Sequence, residues 1–468
     1  MRDRVLWIGS LVYALLFTWL GYVKYDVHRN LVDFGIFSQT VAAAFGCFCN
    51  TIEGSHWAFH FSPILYVAGL AVAIVHVPLT LIAMQAVAGA LAAPPIYALV
   101  RARGTVVNAR LAALVVWLYP PLAGLIFGDF HENGFAPAAI AWTIYFFDRE
   151  MLGWAFGGAL ATLAIKEDQA IFLAIAGALG AWRYRGTGRG RLAGAVALLG
   201  LAVIVLFFGY IRPHAAAGAA AWQPERFYAW NSLGSNPAAQ ILQRVGFLLL
   251  IFVPLVFLPF RSEMMWLAAA PLAEVLLSRM PTTYTLGTHY AGAWIGYVLC
   301  AFAFGVRGLQ APRARTALVA CIALCVAELA VADPLHPGIN LRARQPRDAA
   351  LDAFLKRLPP GANVATQEEA YAHLALWNPY ATLLPESAAR PIEACFALAD
   401  WDFPDSARLQ EYGPALRRLE RERQYVAVGR QGGIELFRRT GLCPASETTQ
   451  TRVARGPRPR RSANRPRP

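Results

Sequence analysis

The sequence predicts an all-α polytopic membrane protein of about 11 transmembrane helices, with a small C-terminal α/β extracytoplasmic domain. Three observations carry this. Of 468 residues, 57% are hydrophobic and 15% charged, against roughly 45–50% and about 25% in soluble domains. Apolar runs recur from Val5 to Ala332 with short polar breaks, and several approach the roughly 20 residues that cross a hydrocarbon core. From Asp333 onward the composition turns to that of a soluble domain.

The first run, Val5–Val23, ends in Lys24-Tyr25-Asp26. That is no small-residue cleavage site, so it reads as a retained span. Three loops concentrate arginine: Arg101 to Arg110, Arg183 to Arg191 and Arg307 to Arg315. The positive-inside rule places all three in the cytoplasm with Arg2 and Arg4, so the N-terminus lies inside. If Val5–Val23 crosses outward, Leu79–Val100 must return, and Phe61–Val77 cannot be a full crossing. Residues 24–78 then form an outer loop carrying juxtamembrane helices. Leu111–Phe127, Gly134–Phe147, Met151–Ile165 and Gln169–Trp182 bring the chain back to the second arginine loop. Leu192–Ile211, Val245–Phe260, Met264–Leu277, Tyr290–Val306 and Thr316–Ala332 complete the transmembrane domain, residues 1–332. Several of these spans are short, which suits helices whose polar ends lie in a protein-lined cavity below the membrane surface.

Residues 333–445 are expected outside as the α/β domain. Asp348–Leu358 has an amphipathic pattern, Asn363–Thr366 is a short strand leading into helix Glu368–Leu376, and Gln424–Val428 with Ile434–Arg438 form a hairpin around Gly432-Gly433. Residues 446–468, rich in Arg and Pro, are expected to be a disordered basic tail. The net charge of +13 comes from loop arginines and this tail, so no nucleic-acid partner is expected. Seven cysteines show no zinc spacing. They are expected to pack, with a Cys395–Cys443 disulfide open to the outer domain.

Charges bordering membrane helices are costly and need a reason. Counted against this topology, Asp26, His28, Asp33, Glu53, His56, His60, Asp129, His131, Glu132, Lys166, Glu167, Asp168 and His289 all face outward. Asp129-Phe-His131-Glu132 places two carboxylates and an imidazole between apolar helices. Such a group suits a divalent cation, Mg or Mn, or a general base; helix capping is the plainer alternative. Lys166-Glu167-Asp168 holds one of three lysines, with Lys24 and Lys356, in a chain that otherwise chooses arginine, and a compact ammonium suits a phosphate oxygen. The alternative is a neutralised turn with Asp168 as helix N-cap. Asp33 lies on Asp33–Gln39, which reads as an amphipathic helix along the membrane. His56 and His60, four apart, would share a helix face as metal ligands. His289-Tyr290 offers a hydrogen-bond donor to a ligand or, more plainly, an aromatic belt.

The ordered motifs Asp33-Phe-Gly-Ile-Phe-Ser-Gln39, His60-Phe-Ser-Pro-Ile64, Gly128-Asp-Phe-His-Glu132, Ile165-Lys-Glu-Asp168 and Gly287-Thr-His-Tyr290 resemble the "domain of unknown function 2079" family of prokaryotic membrane proteins. That architecture is similar to the GT-C class of glycosyltransferases. The resemblance implies an enzyme of the cytoplasmic membrane of a prokaryote, moving sugar from a polyprenyl-phosphate-linked donor to an acceptor on the outer face. Asp33, Asp129 and Glu132 would be catalytic; Lys166, Glu167, His289, Tyr290 and His60 would bind substrate. Asp129, His131 and Asp168 would hold any metal. A transporter or lipid-handling protein in contact with membrane lipid, without covalent chemistry, is the alternative; it would show a pseudo-symmetric repeat, which the sequence lacks.

Overall fold

The computed structural model describes residues 3–216, 237–403 and 406–443. The expected tail lies outside the described residues, as does most of the outer loop after Ile211. Four helices have the length and hydropathy to cross a membrane: Arg4–Asp26, Pro78–Arg101, Gly188–Ala216 and Ala311–Val331. A fifth crossing is possible through the pair Val106–Leu118 and Pro120–Phe127, bent by 48°. The bend follows from Pro120-Pro121, which cannot continue the preceding hydrogen-bond ladder but fit the first turn of a new helix. Against about 11 expected spans, therefore, four to five meet the length required. Others are shorter, among them Leu152–Leu163, Pro237–Phe252 and Ile295–Arg307. Phe61–Val77 yields only the 10-residue helix Leu65–Ile74.

The two ends of the bundle differ in charge. At one end Asp3 caps the first helix and accepts hydrogen bonds from Arg110 and Tyr97 at 2.9 Å each. There too Arg307 meets Asp148 at 3.1 Å and Arg189 meets Glu150 at 3.2 Å. The three arginine loops thus share an end. At the other end lie the contacts of Lys24 with Asp129 and of His60 with Glu167.

The C-terminal region is a five-stranded mixed sheet in the order Ala381–Leu383, Val364–Thr366, Phe396–Asp400, Ile434–Arg439, Tyr425–Gln431. The first three strands run parallel and the last two antiparallel. The expected helix, strand, helix and hairpin all appear, within a few residues. Two strands and helix Ala407–Arg421 are additional to those the pattern predicts. Phe396–Asp400 is the middle strand of the sheet and almost wholly buried, so it lacks the alternation that marks a half-exposed strand. Cys395 is bonded to Cys443, and Cys47 to Cys49, a pair expected only to pack.

The sheet domain is not tethered loosely. One hydrophobic core joins Phe34, Phe37, Val41 and Leu65 to Leu351, Phe354, Tyr371 and Leu436. Helix Val32–Ala42 therefore does not lie along a membrane surface with one apolar face, as expected; Phe34 through Val41 are all buried. Gly35 permits the approach, since a Cβ there would lie 2.4 Å from the Tyr371 ring. Gln39 completes the seam. Its Nε2 donates to the carbonyls of Asn378 and Ala381 at 3.0 and 2.9 Å, and its Oε1 accepts from Tyr371 Oη at 2.9 Å.

Glu369, on helix Glu368–Leu374, is 1% exposed, and its Oε2 has no hydrogen-bond partner among the described residues. Burial pushes its carboxyl up to about 7. Because the folded-state value lies above the unfolded one, this group favours folding at low pH, and that contribution is lost as pH rises through about 7. Glu369→Gln should leave the melting temperature unchanged at pH 5. At pH 8 it should stabilise by on the order of 1–3 kcal/mol, read by thermal unfolding in detergent; equal melts at both pH values would refute this.

Candidate active site

The polar end is organised around the segment after helix Pro120–Phe127. Gln85, on helix Pro78–Ala90, threads its amide among the carbonyls of Leu125, Ile126, Gly128 and Asp129 at 3.1–3.4 Å. Its Oε1 accepts from the His131 N–H at 2.9 Å. A non-helical backbone at this depth is tolerable only when its polar groups are satisfied by protein in this way.

Asp129 is consumed by structure. Oδ1 accepts from Lys24 Nζ at 2.8 Å and Asn30 Nδ2 at 3.0 Å. Oδ2 accepts from the N–H groups of Leu31 and Phe34, at 2.8 and 3.4 Å, at the start of helix Val32–Ala42. The carboxylate therefore neutralises the lysine in the last turn of the first helix and caps the next helix. Four donors leave it little capacity as a base or metal ligand. Any catalytic or metal-binding role of Asp129, as expected, would compete with these four donors. Its partners Lys24 and Asn30, and Gln85 beside it, carry no motif that would single them out in the sequence.

Asp33 has a different setting. One oxygen meets His289 Nδ1 at 3.3 Å, and 38% of the side chain is exposed. The His289 ring stacks on His131, centroids 3.8 Å apart and nearly parallel, while His131 Nδ1 lies 2.9 Å from Glu132. Tyr290 flanks His289 at 4.1 Å between rings. The crossing that brings His289 to His131 needs glycine. Gly287 sits at φ +85, and a Cβ on Gly124 would lie 2.7 Å from its Cα; a Cβ on Gly292 would lie 2.3 Å from the Asn133 carbonyl.

Lys166 is 8% exposed and precedes helix Glu167–Arg183, whose first turn holds Glu167 and Asp168. Lys166, not Asp168, is the N-cap residue, and the two carboxylates lie where the helix dipole favours them. Among the described residues no hydrogen bond or ion pair reaches the Lys166 ammonium; it feels the fields of Asp168, Glu132, Glu167 and Tyr290. Glu167 is held by His60 Nδ1 at 2.9 Å and the Phe61 N–H at 2.9 Å. His56 and His60 do not share a helix: a 3-10 turn, His56–Ala58, ends before His60, and His56 faces Glu53 at 3.5 Å.

Asp33, His131, Glu132, Lys166, Glu167, Asp168, His289, Tyr290 and His60 thus belong to one linked set of charges, with Asp129 anchoring its edge. Burial opposes ionisation of Asp33, but the hydrogen bond and charge of His289 bring it down to about 2. Burial holds His131 down to about 3, against the pull of Glu132 and with the help of His289 and Lys166. Burial also works against the Lys166 charge, yet the surrounding carboxylates raise its affinity for a proton. These environments favour a charged Lys166, an ionised Asp33 and a neutral His131. Of the expected metal set of Asp129, His131 and Asp168, the Asp129 oxygens already accept four hydrogen bonds, and His131 Nδ1 lies 2.9 Å from Glu132 and 3.3 Å from the Asn133 N–H.

The chain belongs to the DUF2079 family of predicted membrane proteins, which matches residues 24–435. No curated protein matches it in sequence. Its fold is similar to that of ArnT from Cupriavidus metallidurans bound to undecaprenyl phosphate, with a TM-score of 0.57 at 10% identity, covering 93% of this chain and 98% of that one. ArnT from the same organism in the apo state gives 0.52 at 13% identity, covering 92% and 98%. The likeness shows an ArnT-like fold, and the family match together with the long apolar helices makes this a multi-pass membrane protein.

The Lys24–Asp129 pair, 9% and 11% exposed, should behave as a buried ion pair. Lys24→Met or Asp129→Asn alone should destabilise by about 3–5 kcal/mol, since each strands the partner. The double variant should recover at least about 1 kcal/mol of that loss. Additive losses in thermal unfolding would show that the two groups do not act together.

Proposed function

We propose that this DUF2079 protein is a glycosyltransferase of GT-C type, transferring a sugar from a polyprenyl-phosphate-linked donor to an acceptor at the polar end of its bundle. The arginine loops support the orientation: placed in the cytoplasm, they leave the site and the sheet domain opening to the outer face of the cytoplasmic membrane. The observation that carries the reading is Lys166. A buried ammonium with no ion-pair partner among the described residues, ringed at a distance by carboxylates, is suited to a ligand that brings its own negative charge. ArnT, the protein of similar fold, was crystallised with undecaprenyl phosphate.

In this reading the donor phosphate approaches Lys166, which stabilises the charge that grows on the leaving phosphate as the glycosidic bond breaks. Glu167, clamped by His60, and Asp168 position the lysine. The acceptor hydroxyl is received by Asp33. With a value near 2, Asp33 is a weak base in the resting site. Its role is to hold the hydroxyl and take its proton late, as the new bond to the sugar carbon forms, with His289 sharing the load. His131 and Glu132 keep His289 in place behind it.

The test separates binding from transfer. Undecaprenyl phosphate binding, measured by native mass spectrometry of the detergent-purified chain, should fall more than about tenfold in Lys166→Met and persist in Asp33→Asn. Transfer of sugar from a lipid-linked donor in membranes should fall roughly 10²–10⁴-fold in Asp33→Asn. Binding indifferent to Lys166 would overturn the assignment. Binding that depends on Lys166, with no transfer by any variant or the wild type, would favour lipid handling without chemistry.

A further inference from the structure

A second cluster lies apart from these residues, at the seam between the first helix and the sheet domain. His28 follows helix Arg4–Asp26, Asp352 lies on helix Pro346–Arg357, and His373 on helix Glu368–Leu374. One ligand atom from each of the three lies within 4.8 Å of the other two. The geometry points to a divalent transition-metal site here, of zinc type, held by two imidazoles and one carboxylate and clamping the sheet domain to the first membrane helix.

Four features support it. His28 is 1% exposed; its Nε2 lies 3.0 Å from Asp352 Oδ1, and its ring is 4.2 Å from that of His373. His373 Nε2 is buried without a hydrogen-bond partner among the described residues, a costly state for a ring nitrogen unless something binds it. Behind His28, Asp348 Oδ1 stands 3.6 Å from Nδ1 and is itself gripped by two Arg342 nitrogens, at 2.6 and 2.7 Å. At that distance Asp348 is not hydrogen-bonded to His28, whose Nδ1 is buried without a partner among the described residues, but it stands where a carboxylate could orient the ring of a metal ligand. Finally, His28 adopts a left-handed backbone, φ 57, uncommon outside glycine and a mark of a position held for a purpose.

The ligand chemistry selects the ion. Two nitrogens and one oxygen suit zinc and its neighbours, whereas magnesium and calcium prefer oxygen alone. Asp352 offers one oxygen to the site while Arg344 holds the other, and Arg344 is balanced by Asp26. A fourth position remains for water. Because the three ligands come from three separate elements, the ion would act as a fastener, independent of the sugar-transfer reading.

The experiment uses the full chain purified without a histidine tag or chelating resin. After chelator treatment, titration with zinc should load one equivalent and raise the melting temperature. Cobalt in its place should give the visible absorption of a low-symmetry site with nitrogen ligands. Asp352→Asn and His373→Ala should each lose the stoichiometric uptake, and Asp348→Asn should weaken it about 10–100-fold. Excess magnesium should not compete. Failure of the wild-type chain to take up zinc or cobalt would overturn the site. So would unaltered uptake by Asp352→Asn, a variant close enough in shape to fold where His373→Ala does not.

Discussion

The carboxylate of Asp129 is the contact on which the polar end depends. It neutralises Lys24 at the end of the first helix, receives Asn30, and caps the start of helix Val32–Ala42. An unpaired charge at this depth would cost several kcal/mol, so the loop after Phe127 cannot move without stranding one. Gln85 fixes the backbone of the same loop from the other side. His131 and Glu132, the next side chains of that loop, and Asp33, carried by the capped helix, are thereby held in fixed relation.

Around that anchor the charges fall into two roles. Asp129 and Lys24 satisfy one another, as do His60 and Glu167. Lys166 has no ion-pair partner among the described residues, and Asp33, partly exposed, meets His289. Electrostatic stabilisation in a dry site is effective because the donors are oriented before the ligand arrives. Here the orienting work falls on buried, neutral or fully paired groups, and the exposed Asp33 is steadied by the His289–His131 stack.

The sheet domain contributes to this order instead of hanging from it. Tyr371 packs where Gly35 has no side chain and donates to Gln39, so the helix that presents Asp33 is sandwiched between the bundle and the sheet. The histidines at His28 and His373 lie on the same seam. A change in how firmly the domain is seated would act on the position of Asp33 through one short helix.

Composition and arginine placement are enough to read a membrane protein with a helical body, a C-terminal sheet and polar residues gathered at one end, because hydropathy and loop charge are local properties of the chain. The ordered motifs around Asp33, His131, Lys166 and His289 are legible for the same reason. Their division of labour is not. Asp129 and Asp33 look alike in sequence; only the approach of Lys24, Asn30 and two backbone N–H groups makes one a structural anchor and leaves the other open. Helix Val32–Ala42 carries enough apolar residues to read as a surface helix, yet the arrival of Tyr371 from a distant part of the chain buries it. The His28, Asp352 and His373 cluster has no spacing signal at all, since its members meet only when the sheet domain docks. Local pattern determines which elements form and which end is polar; long-range packing decides which charges are paired with each other and which are not.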